Sequence, residues 1–163
     1  MKSEFKRHLQ ALIGLPCWAV FAGHGNGSMV TLHIGRRVRR DQPLRNRTVP
    51  PDWRRFVGEN CLFVEGCSWR LEHGTKISCS WGEPEDTIDR KMRRLVGHTV
   101  TKITLHDLSL DLSVSFTNGY RLILFCDQTA NGESQDNYSL RTPIGWYRVT
   151  AGSGVKLEPT NVK

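Results

Sequence analysis

Leu108-Ser109-Leu110-Asp111-Leu112-Ser113-Val114-Ser115-Phe116, then Thr117-Asn118-Gly119, then Tyr120-Arg121-Leu122-Ile123-Leu124-Phe125, is the stretch that decides the fold class. Apolar side chains alternate with serine and aspartate from Leu108 to Phe116, the period of a strand with one buried face. Asn118-Gly119 supplies the backbone freedom of a two-residue hairpin turn, and Tyr120 to Phe125 is the return strand.

Upstream of this hairpin, Pro84 suits an early helical position, Ile88, Met92 and Leu95 recur on one helical face, and Gly97 ends the run. The same order stands at the start of the chain. Ser3 can cap a helix whose Phe5, Leu9, Leu12 and Ile13 share a face, Gly14 ends it, and Val30, Leu32 and Ile34 then alternate with Thr31 and His33 before Gly35 leads into Arg36–Arg40. A second hairpin follows in each half. Cys67, Trp69 and Leu71 turn at His73-Gly74 into Ile77, Cys79 and Trp81; Tyr138 and Leu140 turn at Pro143-Ile144-Gly145 into Trp146–Val149. Helix, hairpin, hairpin is thus written twice. The expectation is an α+β, β-rich single domain over 1–163, with two related halves at approximately 3–82 and 84–158 forming one pseudo-two-fold unit. Phe56-Val57-Gly58 after Arg54-Arg55 also parallels Leu95-Val96-Gly97 after Arg93-Arg94, so a different repeat boundary stays open. Arg39 to Pro51 reads as the connecting loop and Thr150 to Lys163 as a tail with a frayed end.

Leu95-Val96-Gly97, the Asp111-Leu112 strand, the Asn118-Gly119 turn, the strand to Phe125, Asn137-Tyr138-Ser139-Leu140 and Ala151-Gly152-Ser153-Gly154 together resemble small uncharacterised bacterial proteins of two-repeat, β-rich type. Some of these are immunity proteins of toxin systems. The resemblance covers chiefly residues 93–158 and rests on turn glycines and strand aromatics. It implies a fold and a protein-binding role, and it carries over no catalytic residue.

Composition narrows the function. No apolar run approaches the roughly 20 residues of a membrane span, and Leu9–Ile13 is too short for the core of a signal peptide. Five cysteines, an odd number without an export signal, read as reduced thiols in a cytoplasmic protein. The net charge of +7 is concentrated: between Arg36 and Arg55 eight arginines face only Asp41 and Asp52, a local balance of +6 that leaves +1 for all the rest.

Candidate chemistry is sparse. Cys61, Cys67, His73 and Cys79 are spaced by six, whereas structural zinc favours ligand pairs two to four apart; Cys67 and Cys79 also share strand faces with apolar residues, so buried thiols are the better reading. Gly23-His24-Gly25-Asn26-Gly27-Ser28 lacks the lysine of a phosphate-binding loop and reads as a strand connection. His98, His106 and Asp107 are close in sequence, which does not make a triad, and Asp111 reads as a solvated strand residue. Glu83, Glu85 and Asp86 suit a helix N-terminus. No catalytic residue, metal or cofactor is expected.

Two functions remain. The first is a non-catalytic protein-binding module, an immunity protein against a bacterial toxin in its specific form, in which Arg36, Arg37, Arg39, Arg40, Trp53, Arg54 and Arg55 meet an acidic partner surface. The second is nucleic-acid binding through Arg36–Arg55 with Trp53 stacking on a base; no known nucleic-acid-binding motif accompanies it. A solvated, irregular arginine loop is the plain alternative to both.

Overall fold

Period-two patterning dominates the chain, and strands dominate the fold. The computed structural model describes residues 1–128, 136–150, 152 and 154–160. Within them the chain order is α1 (Lys2–Gln10), β1 (Pro16–Gly23), β2 (Gly27–Arg39), α2 (Pro51–Arg55), β3 (Phe56–Val64), β4 (Ser68–His73), β5 (Lys76–Ser80), α3 (Glu85–Met92), a 3-10 turn (Arg93–Leu95), β6 (His98–Leu105), β7 (Leu112–Phe116), β8 (Tyr120–Phe125), β9 (Tyr138–Thr142), β10 (Gly145–Thr150) and β11 (Gly154–Pro159). The strands form one antiparallel sheet in the order β11-β10-β9-β3-β2-β1-β6-β7-β8-β4-β5. Its thinnest joint is β1–β6, paired only at Pro16–Thr99 and Cys17–His98. The β4–β5 hairpin adds to β8, and the β9–β10 hairpin adds to β3.

One connected core joins the two wings. Leu32, Ile34, Leu62, Leu140 and Tyr147 from one wing and Trp69, Leu71, Val114, Leu122 and Leu124 from the other are buried in it, together with Phe5 and Leu9 of α1 and Ile88 and Met92 of α3. Phe5 lies 5.5 Å from the Tyr147 ring, and the buried Tyr138 hydroxyl donates to the Leu110 carbonyl at 2.8 Å, which satisfies its one polar atom. The Trp69 indole N–H likewise donates to the Ser28 carbonyl at 2.7 Å. The regular helices end earlier than the glycine stops, α1 at Gln10 and α3 at Met92, and turns carry the chain on to Gly14 and Gly97, both in the left-handed region.

Several expectations are corrected. The alternation from Leu108 does not begin a strand: β7 starts at Leu112, Leu108 is 92% exposed and Leu110 has φ 62°. A turn forms there because Leu110 N–H returns to the His106 carbonyl, and Asp111 is held rather than solvated, its carboxylate accepting the Cys126 N–H at 2.7 Å. Ile77 is 61% exposed although Cys79 is buried, since a bulge between Leu71 and Glu72 sets Ile77 opposite Glu72 on the outer face. The tail supplies β11, paired along β10 from Gly145–Pro159 to Thr150–Gly154. Ala151 and Ser153 of the glycine-rich segment lie outside the described residues. The basic segment is not one irregular loop: Arg36, Arg37 and Arg39 belong to β2 and Trp53–Arg55 to α2.

Candidate binding cleft

Alternation along β2, β3 and β9 points Leu32, Leu62 and Leu140 into the core, so their sequence neighbours must point to the opposite face. Strand register then aligns His33, Cys61, Arg141 and Trp146 side by side across β2, β3, β9 and β10. On most sheets such a face meets water. Here the chain between β2 and β3 folds back as an arm: Arg40 N–H donates to the Arg55 carbonyl, and Leu44 N–H to the Arg54 carbonyl. Trp53 fixes the arm to the sheet, its ring 5.6 Å from Phe21, with the Arg93 guanidinium 5.4 Å from its other contact face.

Between arm and sheet lies a cleft of about 700 Å³, with His33, Cys61 and Arg141 in its lining, Phe21, Phe63 and Trp146 as aromatic walls, and Val38, Arg39, Arg40 and Leu44 contributed by the arm and the end of β2. Gly58 is the hub of the floor. Its N–H donates to His33 Nδ1 at 3.0 Å, and its carbonyl accepts from Arg141 Nη1 at 3.4 Å and from the Cys61 thiol at 3.6 Å. Because Nδ1 accepts a backbone N–H, the proton of the neutral ring sits on Nε2. Burial, followed by the charges of Arg40 and Arg141, lowers the His33 pKa to about 3. Burial also raises Cys61, against the opposing pull of Arg141 and Arg40. The Cys61–His33 pair, 3.5 Å apart, is therefore thiol and neutral imidazole near neutral pH.

Arg40 and Arg141 bring like charges into a partly dry site. Arg40 Nε donates to the Phe56 carbonyl at 3.0 Å, and burial, then the Arg141 charge, lowers its pKa while Cys61 opposes. Neither arginine forms an ion pair among the described residues, and Asp41 is the sole acidic side chain in the described lining.

The seven residues singled out in the sequence divide. Arg39 and Arg40 line the cleft. Arg36 is exposed and paired with Glu59 at 3.2 Å; Arg37 meets Asp52 at 3.5 Å and stacks 4.9 Å from Trp18. Arg55 is exposed, whereas Arg54 is half-buried with its Nε buried and unpartnered among the described residues. Trp53 is half-buried, packed near Phe21 and Arg93, and also lines a second cavity with Arg45, Asn46 and His24.

The other candidates lie elsewhere. Cys67 and Cys79 are in the core, and His73 stacks on Tyr120 at 4.3 Å. His106 Nδ1 receives Ser109 within its own turn, and Asp107 pairs with Lys6 at 2.5 Å, so no triad forms with His98, which faces Thr117. The Gly23–Ser28 segment is the β1–β2 connection. No described helix is long and apolar enough to cross a membrane.

His33, Arg141, Phe63 and Trp146 escaped the sequence reading, and Cys61 was weighed only as a zinc ligand. Each looked like an ordinary position in a strand; what unites them is a register between β3 and β9 that short-range patterns do not encode. Compared with known protein families, curated proteins and solved structures, the chain matches none.

Proposed function

We propose that this chain is a non-catalytic binding module that receives an acidic partner protein on the face built by β2, the arm and β3. The observation that carries the reading is the gathering of Arg39, Arg40 and Arg141 around an aromatic-walled cleft without compensating ion pairs among the described residues. Arg36 and Arg55, exposed on the same segment, extend the positive field outward and steer the encounter. In its specific form, immunity to a toxin, the partner is an acidic toxin domain; the support for that form is the resemblance of residues 93–158. Nucleic-acid binding is less well supported, because no known nucleic-acid-binding motif accompanies the arginines and Trp53 is already packed near Phe21 and Arg93 over part of its surface.

The duplication belongs to the same proposal. Outward from β1–β6 the sheet runs β2, β3, β9, β10 on one side and β7, β8, β4, β5 on the other, the order expected if two related halves exchange their second hairpins. Superposition of β1–β3 on β6–β8 with matching directions and faces supports it; unrelated twist or facing removes it.

The binding reading is tested by capture from host lysate with and without nuclease, followed by association kinetics on the purified pair. A nuclease-resistant protein whose association slows severalfold at low salt on combined Arg36→Glu and Arg55→Glu substitution, both outside the cleft lining, sustains it. Recovery of nuclease-sensitive material alone overturns it in favour of nucleic acid.

A further inference from the structure

The cleft has a chemistry of its own, separate from the exposed rim. Its cationic and ring groups are donors: the half-buried guanidinium groups of Arg40 and Arg141, and buried His33, whose Nδ1 is occupied and whose Nε2 carries hydrogen; the one acidic side chain in the described lining, Asp41, pairs with neither arginine. Such a set repels cations and leaves oxyanions as the complementary guests. The Phe56 carbonyl at the start of β3 holds Arg40 through its Nε alone, so both terminal nitrogens are free of described acceptors and can grip two oxygens of one anion. The Gly58 carbonyl holds Arg141 by one terminal nitrogen, Nη1, and leaves Nη2 for an anion's oxygen. Held this way, the two side chains are pre-ordered, which reduces the entropy that binding costs.

Size and walls add the second half. A carboxylate or phosphate alone would occupy a small part of about 700 Å³, a volume within the range of small-molecule sites. Phe21, Phe63 and Trp146 are each half-buried, offering ring surface to the cleft. We infer that the cleft binds an oxyanion carried on a flat apolar group, with Arg40 and Arg141 on the oxygens and the aromatic walls against the apolar part. The guest is either a free small molecule or an aromatic residue beside a carboxylate on a partner. The inference goes beyond the docking reading and is tested apart from it.

The test is titration of the purified chain, followed by tryptophan fluorescence and calorimetry, with N-acetylphenylalanine, its neutral amide, phenyl phosphate and inorganic phosphate. At least one charged aromatic probe is expected to bind about tenfold or more tightly than the neutral amide and than inorganic phosphate, the ratio one charge-assisted hydrogen bond supplies. Arg141→Gln and Arg40→Gln each weaken that probe about tenfold or more, Arg141→Lys recovers part of the loss, and Arg90→Ala on α3 changes nothing. Preference for phenyl phosphate points to a phosphorylated small molecule, and preference for N-acetylphenylalanine to a protein-borne carboxylate; either supports the inference. Circular dichroism melts establish that the variants are folded. Equal binding of the amide, equal binding of inorganic phosphate, or a folded Arg141→Gln chain that retains full affinity overturns it. Loss of partner capture on rim reversal leaves these outcomes untouched, so the two failures are distinguishable.

Discussion

The sheet has two outer faces that solve the problem of charge in opposite ways. On the β8–β4 wing, Glu72 lies between Arg70, whose Nε reaches it at 2.7 Å, and Arg121, which pairs with it across the strands. The face is open, and both of its arginines pair with a carboxylate supplied by the sheet itself. On the β3–β9 wing, Arg141 stands where no carboxylate crosses from β3; its strand neighbour is Cys61, and the arm adds Arg40 together with Asp41, which forms no ion pair with either arginine. The first face is complete by itself. The second holds uncompensated cations beneath a cover, a disposition that favours neither folding nor solubility and makes sense when an anion arrives from outside.

The largest difference between the faces is expected at Gly58. A methyl group there would stand 2.5 Å from the Asn60 carbonyl oxygen, 2.9 Å from Ile34 N and 3.1 Å from His33 Cα, all backbone atoms that cannot swing aside. Gly58→Ala must therefore part β2 from β3 and break the contact to His33, costing about 3 kcal/mol or more. Arg70→Ala on the open face should cost less than about 1 kcal/mol. Urea unfolding of both variants checks this; a Gly58→Ala chain as stable as its parent would mean that the cleft floor is not tightly built.

Next comes pH. His33 titrates near its ordinary value when the chain is unfolded and at about 3 when folded. The folded state thus binds fewer protons below pH 6.5, and stability falls as pH drops from there toward 3. The loss reaches about 2–3 kcal/mol by pH 4.5, and His33→Gln, which keeps an acceptor for Gly58 N–H but cannot ionise, removes that part of the slope. Since carboxylates titrate in the same window, the quantity to measure is the difference between parent and variant in chemical denaturation at pH 7 and pH 4.5. Parallel curves would show that burial, with the two arginines, does not keep His33 neutral over that window.

What the sequence disclosed follows from the range of the interactions. The helices over Phe5–Leu9 and Ile88–Met92, their glycine stops and the Asn118-Gly119 hairpin are local, and they were legible. β1, β3, β6 and β11 were missed because Cys17–Val20 is buried at successive positions, Phe56–Val64 carries burial on mixed positions, His98–Leu105 buries only Val100 and Ile103, and Gly154–Pro159 has little apolar alternation at the sheet edge. The sequence showed that charge was concentrated at Arg36–Arg55 but not that Arg40 would meet Arg141, a residue that lies far along the chain and is joined through Cys61 by strand pairing. Ile77 was misread because a single bulge exchanges inside for outside.

The smallest expected effect lies on the compensated face. Arg121 and then Arg70 hold the Glu72 carboxyl below its ordinary pKa, against a desolvation effect that opposes them. The stabilising charge is fully present above the unfolded value and is lost as pH falls through the lowered folded one. Both arginines remain substantially in water, with side chains 40% and 50% exposed, so solvent screens much of the attraction. Glu72→Gln keeps the shape and hydrogen-bonding reach of the side chain while removing its charge; it should cost about 0.2–1 kcal/mol near neutral pH and less in molar salt. Urea midpoints at low and high salt measure it. The reciprocal substitution sharpens the contrast: Arg141→Gln removes a repulsion from Arg40 and should leave stability unchanged or slightly raised. A greater stability loss for Arg141→Gln than for Glu72→Gln would mean that Arg141 supports the fold, and the distinction between a compensated face and a receiving one would fail.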